Sequence, residues 1–416
     1  MNAFLLAWKN LKHRPLNTGF NLLLLILAGG LITLGLLVNS QFENHFNKNL
    51  GKTDLILAAK GSPLQSVLCN LFHIDFPTGN IPLSDCKVFL KENHPIIKSA
   101  LPIALGDQYA GFRLVGTTDT YGHWTPIQFE TGQWFDKDFH AVIGSEAAIK
   151  TGLKINDTFI SGHGIQTENV NEHQHDEHQF KVCGILKPTG TITDQLILIS
   201  ISSYWALHHD EVAEDHSAHH HGPACLTNQD LINTEGEITS VLLEFKGTNI
   251  QSLNFGRSIN ENTEMMAASP AIELNRLYEL TGTATELLSF VLIALVLISL
   301  LSLFISLWQA MEERKYEMAL LRFAGASPSK IIRWTLSEAA LLSFSGVTIG
   351  MILAHILLAI VNPLLKLEMK YGIRADVLFP GEWLIPIAAC LLGILAALIP
   401  AVRAMKTDIH HTLSSE

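Results

Sequence analysis

MEERKYEMALLRFAGASP, residues 311–328, lies between two long apolar runs. Glu312, Glu313, Arg314, Lys315, Glu317 and Arg322 surround the apolar set Met318, Ala319 and Leu321, which reads as a short amphipathic helix. Gly325 and then Ser327-Pro328 supply stop and restart signals, so a hinge follows. A charged segment this brief between two apolar runs marks a place where the chain leaves the lipid for a few turns and re-enters, here as a cytoplasmic connector.

Working outward, the runs are long enough to cross hydrocarbon, which takes about 20 apolar residues. Leu287 to Trp308 and Leu336 to Val361 flank the connector, Phe20 to Val38 lies near the start, and Trp383 to Val402 near the end. Lys9, Lys12 and Arg14 precede the first run, Lys330 and Arg333 join the connector, and Arg403 with Lys406 follow the last run. Basic residues collect on the cytoplasmic side, so both termini are expected inside. The first run resembles a signal peptide at first glance, but no small-x-small cleavage pattern follows Val38, and it reads as a retained helix. Gly29-Gly30, Gly35, Gly346 and Gly350 give small-residue faces, suited equally to helix pairing and to ordinary packing. His355 and Glu338 are ionisable residues in or beside a span. Without a second buried carboxylate in view, His355 reads as a neutral bonded histidine and Glu338 as an interfacial carboxylate, with a proton relay as the alternative.

From about Gln41 to Thr285 no window approaches spanning length, and Gly, Pro, Asn and His are frequent. Short alternating bursts predict strands at Phe112 to Gly116, Ala141 to Ile143, Thr158 to Ile160, Phe180 to Leu186, Gln195 to Ile199 and Ser240 to Phe245. Helices are expected at Ser145 to Thr151 and from Ala271 into the second span. The expected fold is therefore an α+β membrane protein with four transmembrane helices and a large extracytoplasmic α+β domain between the first and second. The division runs 1–40, 41–285, 286–310, 311–335, 336–362, 363–382 and 383–416. Cys69 and Cys86 read equally as a disulfide or as two reduced cysteines, and Cys183 and Cys390 as packing residues.

Several stretches carry a resemblance. ERKYEMALLRFAGAS (313–327) resembles the signature that follows the second transmembrane helix in FtsX-like permeases, the MacB, LolC and LolE type of ABC transporter. LAWKNLKHRPLNT (6–18) is similar to that family's lead-in to its first helix, and ALIPAVRAMKTDIHHTL (397–413) to its C-terminal helix end. VIGSEAAIKTGLKINDTFISG (142–162) followed by FKVCGILKPTGTITDQLILIS (180–200) resembles the family's extracytoplasmic domain. AAKGSPLQSVLCNLFHIDFPTGNIP (58–82) looks like a stretch of one subgroup, although Gly61, Pro63, Pro77, Gly79 and Pro82 equally suit plain turns.

The resemblance implies a permease in a bacterial inner membrane that rests on a separate ABC ATPase subunit. Its coupling residues would be Glu312, Glu313, Arg314, Glu317, Leu321, Arg322, Gly325, Ala326 and Ser327. Four spans cannot enclose a broad aqueous path, so a homodimer is expected, with membrane lipids and a periplasmic protein as further partners. The family implies force transmission more than a pore.

Two segments depart from what the family requires. HGIQTENVNEHQHDEHQ contains His163, His173, His175 and His178, and HHDEVAEDHSAHHH contains His208, His209, His216, His219, His220 and His221. Imidazoles two to four positions apart, interleaved with acids, suit Zn2+, Ni2+ or Cu2+. Such loops favour collection or sensing over catalysis, which needs a rigid site with an open coordination position. A solvated low-complexity loop is the other reading. His123 and His140 read as surface or packing residues, and Cys225 adds only a loosely spaced thiolate.

With 416 residues, 48% hydrophobic and 16% charged, and a net charge of -11, the chain lacks the clustered Lys and Arg that nucleic acid needs. No GxxxxGK[ST], HExxH or Ser-His-Asp pattern stands out, so ATP hydrolysis is expected in a partner and not in this chain. Transport linked to zinc or another divalent metal is the leading expectation. Movement of lipoprotein, peptide, haem or antibiotic, or signalling to a periplasmic hydrolase or sensor, stands beside it.

Overall fold

A computed structural model of the chain describes residues 13, 15–163, 178–209, 226–247, 249–323, 325–368, 376–379 and 381–405. They fall into two compact units, one from 1–44 with 281–416 and the other from 45–280.

The second unit is built on an eleven-stranded mixed sheet. After helix α1 (Pro15–Leu50) come β1 (Leu55–Ala59), helix α2 (Pro63–Phe72), β2 (Ile97–Tyr109), β3 (Phe112–Thr117), β4 (Phe129–Gly132) and β5 (His140–Ile143). Helix α3 (Ser145–Thr151), β6 (Thr158–Phe159), β7 (Gly162–His163), β8 (Phe180–Leu186), β9 (Leu196–Ser200) and helix α4 (Ile201–His209) follow. β10 (Ser240–Phe245), helix α5 (Ile250–Asn262) and β11 (Met265–Ala268) complete it. The sheet order is β11-β1-β10-β2-β3-β9-β5-β8-β4, with β6 paired to β8 and β7 paired to β2.

The strands expected from alternation are present with small shifts at their ends, but the longest strand was not among them. β2 contains Pro102 and Gly106, which argue against a central strand because proline donates no ladder hydrogen bond. It is tolerated where Pro102 lies opposite Val241, its carbonyl accepts from Thr117 Oγ1 at 3.2 Å, and the ladder to β3 begins only at Ala104, past the proline. One half of β2 pairs β10 and the other pairs β3. It thereby joins two apolar clusters, one around Leu57, Ile97 and Val241, the other around Leu114, Ile143, Phe180 and Ile199.

In the 58–82 stretch helix α2 lies between the turn-forming residues, with Gly61 before it and Pro77 and Gly79 after it. Ser62 caps it by accepting from Gln65 N at 3.5 Å, Pro63 sits in its first turn, and His73 ends it at φ 53°. Gly61 is required by a close approach, because a Cβ there would lie 2.6 Å from Thr78 Cγ2. Cys69 and Cys86 are separate buried thiols. Cys69 Sγ accepts from Arg113 Nη1 at 3.5 Å, while Cys86 Sγ lies 3.7 Å from Met265 Sδ. Burial, then Asp85, pushes the Cys86 thiol up to about 12. Each cysteine has its own packing partner, so no bridge is needed.

On this unit Glu244 accepts from Lys98 at 2.7 Å and lies 2.9 Å from His123 Nε2. Desolvation raises its affinity for a proton, but the Lys98 and His123 bonds and charges outweigh it and hold the carboxyl below its ordinary range. A carboxylate with a depressed folded value stabilises above its unfolded value of about 4.3 and loses that contribution as pH falls through the folded value. Glu244→Gln is therefore expected to lower stability at pH 7 by roughly 0.5–2 kcal/mol, modest because Lys98 is half exposed. The deficit should shrink as pH falls below about 4.3. Thermal unfolding of both proteins across pH 3–7 measures it, and a deficit that stays constant would contradict the assignment.

The first unit holds α1 up to Asn44, α6 (Pro270–Glu313) from Thr281, helix α7 (Lys315–Phe323), helix α8 (Pro328–Glu368) and helix α9 (Leu384–Met405). Among the described residues four helices are long and apolar enough to span a membrane, over Pro15–Leu50, Glu286–Glu313, Pro328–Asn362 and Leu384–Arg403. Many of their large apolar side chains, such as Leu287, Phe290, Ile360 and Leu395, are exposed, as a lipid-facing surface requires.

The glycines decide how these helices meet. A Cβ at Gly346 would lie 2.7 Å from Leu25 Cβ, and one at Gly29 would lie 2.9 Å from Val347 Cα. One at Gly350 would overlap the Ile26 carbonyl oxygen. α1 and α8 thus pack backbone to backbone. Gly35, with Leu292 Cδ1 at 3.9 Å, is not part of that contact. Polar bonds add to the bundle: Ser302 Oγ donates to Asn21 Oδ1 at 2.8 Å, and Ser299 Oγ to Leu24 O at 3.3 Å.

Candidate functional site

The connector forms in three pieces. α6 ends at Glu313, a turn at Arg314 interrupts the helix, and α7 then runs over Lys315–Phe323. Gly325 stops it with φ +90°, a conformation that costs a side-chain-bearing residue more than glycine. α8 restarts at Pro328, with Lys330 N donating to Ser327 O at 2.9 Å.

What fixes α7 is one apolar contact set. Met318 is 1% exposed and packs with Met311, Ile331 and Trp334, so the short helix is held against the end of α6 and the start of α8. Arg314, also buried, places its guanidinium 5.8 Å from the Trp334 ring centroid. Glu312 lies 3.5 Å from Arg403, whose guanidinium sits 4.0 Å over the Trp308 ring, so the ends of α6 and α9 are tied by charge and stacking. Tyr316, Leu320 and Phe323 are exposed. Glu313, Gly325 and Ser327 are exposed and Arg322 and Ala326 half-buried, while the side chains of Glu317 and Leu321 lie outside the described residues. One apolar edge of this short helix is thus buried, and its aromatic and aliphatic groups on the other side face outward, a surface suited to a protein partner.

The membrane histidine has a partner that the sequence reading lacked. His355 Nε2 lies 2.7 Å from Glu382 Oε1, and Glu382 Oε2 accepts from Phe379 N at 3.1 Å. Glu382 is 4% exposed. The expectation that no second buried carboxylate accompanies His355 is corrected: Glu382 sits just before the last span, too near its end to stand out as an intramembrane acid. Glu338, on α8, is buried as well and not interfacial in the sense of being solvated.

The histidine-rich segments are described only at their edges. Among the described residues no group of three or more His, Cys, Asp or Glu side chains gathers as a metal would need. His173, His175, His216, His219, His220 and His221 lie outside the described residues, as does Cys225, and for His163 and His209 only the backbone is described. His178 stacks on Phe139 at 4.7 Å. His208 stacks on Tyr204 at 4.3 Å and its Nε2 lies 3.9 Å from Asp107 Oδ1. His123 and His140 take acid partners, Glu244 and Asp136, at 2.9 and 3.0 Å.

Comparison with known proteins bears on the membrane unit first. Residues 289–409 match the FtsX-like permease C-terminal family. The ABC transporter permease YtrF of Bacillus subtilis (strain 168) is 28% identical over 202 residues, 42% of this chain and 45% of that protein. The match thus spans about half the length of that curated relative. Among solved structures, the periplasmic region of MacB from Actinobacillus actinomycetemcomitans matches at 10% identity and a TM-score of 0.31, covering 55% of this chain and 94% of that one. The extracellular domain of the noncanonic ABC-type transporter YknZ from Gram-positive bacteria matches at 14% and 0.30, covering 52% of this chain and 98% of that one.

Proposed function

With its C-terminal part an FtsX-like permease domain, we propose that this chain is the permease subunit of an ABC transporter of the FtsX and MacB type, driven by a separately encoded ATPase. The observation that carries the reading is the clamped connector: α7 is anchored through Met318 and exposes Tyr316, Leu320 and Phe323. A partner that closes on ATP and presses this surface moves α6 and α8 together, because the buried contact leaves α7 no independent freedom. Two copies working as a homodimer in a bacterial inner membrane, with both termini cytoplasmic and residues 45–280 on the far side, complete the arrangement. The chain itself hydrolyses nothing. The task of the far-side unit is linked to zinc or a similar divalent ion, a reading supported by the composition of the two His-rich segments.

Affinity purification of the full chain from native membranes tests the coupling. An ATPase subunit is expected to co-purify, and Phe323→Asp, at a position 79% exposed, should reduce its recovery at least roughly tenfold while leaving the permease folded. Recovery of no ATPase with the native chain would overturn the reading. For the metal, the full chain is expected to bind several equivalents of Zn2+ by isothermal titration, most of them lost when 164–177 and 210–225 are replaced by Gly-Ser linkers; equal capacity in the two proteins would refute a collecting role.

A further inference from the structure

The ends of α1 and α2 line one cleft on the folded unit, together with the turns at 121–125 and 191–193. Its floor is the sheet face that the Leu57 cluster does not use: Val241 and Leu243 point into that cluster, so Leu242 between them, and Leu101 paired opposite it, point the other way. The space measures about 410 Å³ up to its open mouth, within the range of small-molecule sites (~300–1,000 Å³).

The walls are held by bonds of their own. Asn49 Oδ1 accepts from Ile192 N at 2.8 Å, which ties the last turn of α1 to the 191–193 turn. Trp124 Nε1 donates to Thr53 Oγ1 at 2.9 Å, so the indole nitrogen is engaged and the ring serves as an apolar wall. Tyr121 Oη and Thr193 Oγ1 lie 3.0 Å apart, and burial pushes the phenol up to about 12, so both stay neutral hydroxyls.

Two other lining groups give the cleft its chemistry. Asn70 is 1% exposed. Its Nδ2 donates to Ser66 O at 2.9 Å, and since that carbonyl can only accept, the amide is fixed with its nitrogen toward α2 and Oδ1 turned away from it. No protein donor meets Oδ1 among the described residues, which leaves it an acceptor for whatever fills the cleft. Lys48 is exposed at the rim, with its Nζ 3.9 Å from where a Cβ on Gly190 would stand. Asp194 of the same loop accepts from Thr189 N, Thr189 Oγ1 and Gly190 N, each at 2.8 Å, so its charge is taken up within the loop. The cleft thus offers a cation at its rim, a buried acceptor and apolar walls.

We propose that this cleft binds a small hydroxy- or amino-carboxylic acid, its carboxylate on Lys48 and its O–H or N–H donor on Asn70 Oδ1. The apolar walls suit a short aliphatic chain between the two ends. The site goes beyond the transport reading and depends neither on it nor on any metal. Because Lys48 and Asn49 sit in the last turn of α1, an occupant fastens the end of that helix to the sheet, and the same helix runs back into the first apolar span.

The test heats the full chain in nanodiscs with each of a panel of hydroxy and amino acids of roughly two to six carbons, the size the cleft holds. At least one is expected to raise the unfolding temperature in a concentration-dependent way. For that acid, the analogue without the donor and the analogue without the carboxylate (for lactate, propionate and propylene glycol) should bind at least roughly tenfold more weakly. Lys48→Gln, at an exposed position where folding is not at risk, should weaken the acid at least roughly tenfold, while Lys137→Gln, at an exposed lysine outside the cleft, should leave it unchanged. Asn70→Leu should remove the shift, its unfolding without ligand showing that it folds; where it does not fold, Lys48→Gln decides. No shift with any acid leaves water as the only occupant and overturns the site. A shift of equal size in Lys48→Gln, or with the analogue that lacks the donor, overturns it as well. Neither result touches the recovery of an ATPase subunit, on which the transport reading stands.

Discussion

Gly350→Leu is expected to eliminate the folded protein from the membrane. At this position a Cβ would overlap the Ile26 carbonyl oxygen, lie 2.8 Å from Gly30 N and lie 3.1 Å from Ile26 C. All three are backbone atoms of an α-helix, whose position is fixed by its own hydrogen bonds, so no side chain can swing aside to make room. The only relief is separation of α1 from α8. Separation also opens the neighbouring contacts at Gly346 with Leu25 and Gly29 with Val347, and in lipid no hydrophobic force pulls apolar helices back together. Overpacking alone costs about 1–3 kcal/mol, and losing a helix interface with it should exceed ~3 kcal/mol. Fluorescence-detected size-exclusion of detergent-solubilised protein gives the yield of folded material, with Gly19→Leu as the control because a Cβ there meets nothing within 4 Å. Native yield and unfolding temperature in Gly350→Leu would disprove this packing.

If the proposed ATPase partner drives this chain through α7, Met318→Asp is expected to disconnect the membrane helices from it without preventing insertion. The side chain sits at 1% exposure among Met311, Ile331 and Trp334, where an ionised carboxylate would be desolvated next to apolar neighbours. The low-cost escape is for α7 to roll off its seat and carry the new carboxylate into water. The four spans depend on other contacts, such as those around Leu25, Leu303 and Ala397, and should form normally. The reading is the rate of ATP hydrolysis by the complex in nanodiscs relative to the native chain, where a loss of at least roughly tenfold in any permease-dependent part is expected; Met318→Leu, which keeps volume and polarity, should retain most of it. Full coupling in Met318→Asp would show that the anchored face does not transmit force.

Much of this was legible because the signals are local. A membrane imposes about 20 apolar residues on any helix that crosses it, so each span is written in one continuous window. The connector is similarly self-contained: charges, Gly325 and Pro328 mark its limits within a few turns of chain. Strands such as Phe180–Leu186 alternate cleanly and were read to the residue. β2 was not, since Pro102 and Gly106 argue locally against a strand whose existence depends on partners at both its flanks.

The sequence by itself determined the solvent each segment would meet, the class of fold and the chemistry on offer at the histidines, because polarity and periodicity act on neighbouring residues. Tertiary structure alone decided which distant groups would share a few ångströms: Gly350 with Ile26, His355 with Glu382, and Asp107 with His208. Such pairings are set by how helices and strands dock, and docking is chosen by the summed packing of whole surfaces, of which no short window holds more than one side.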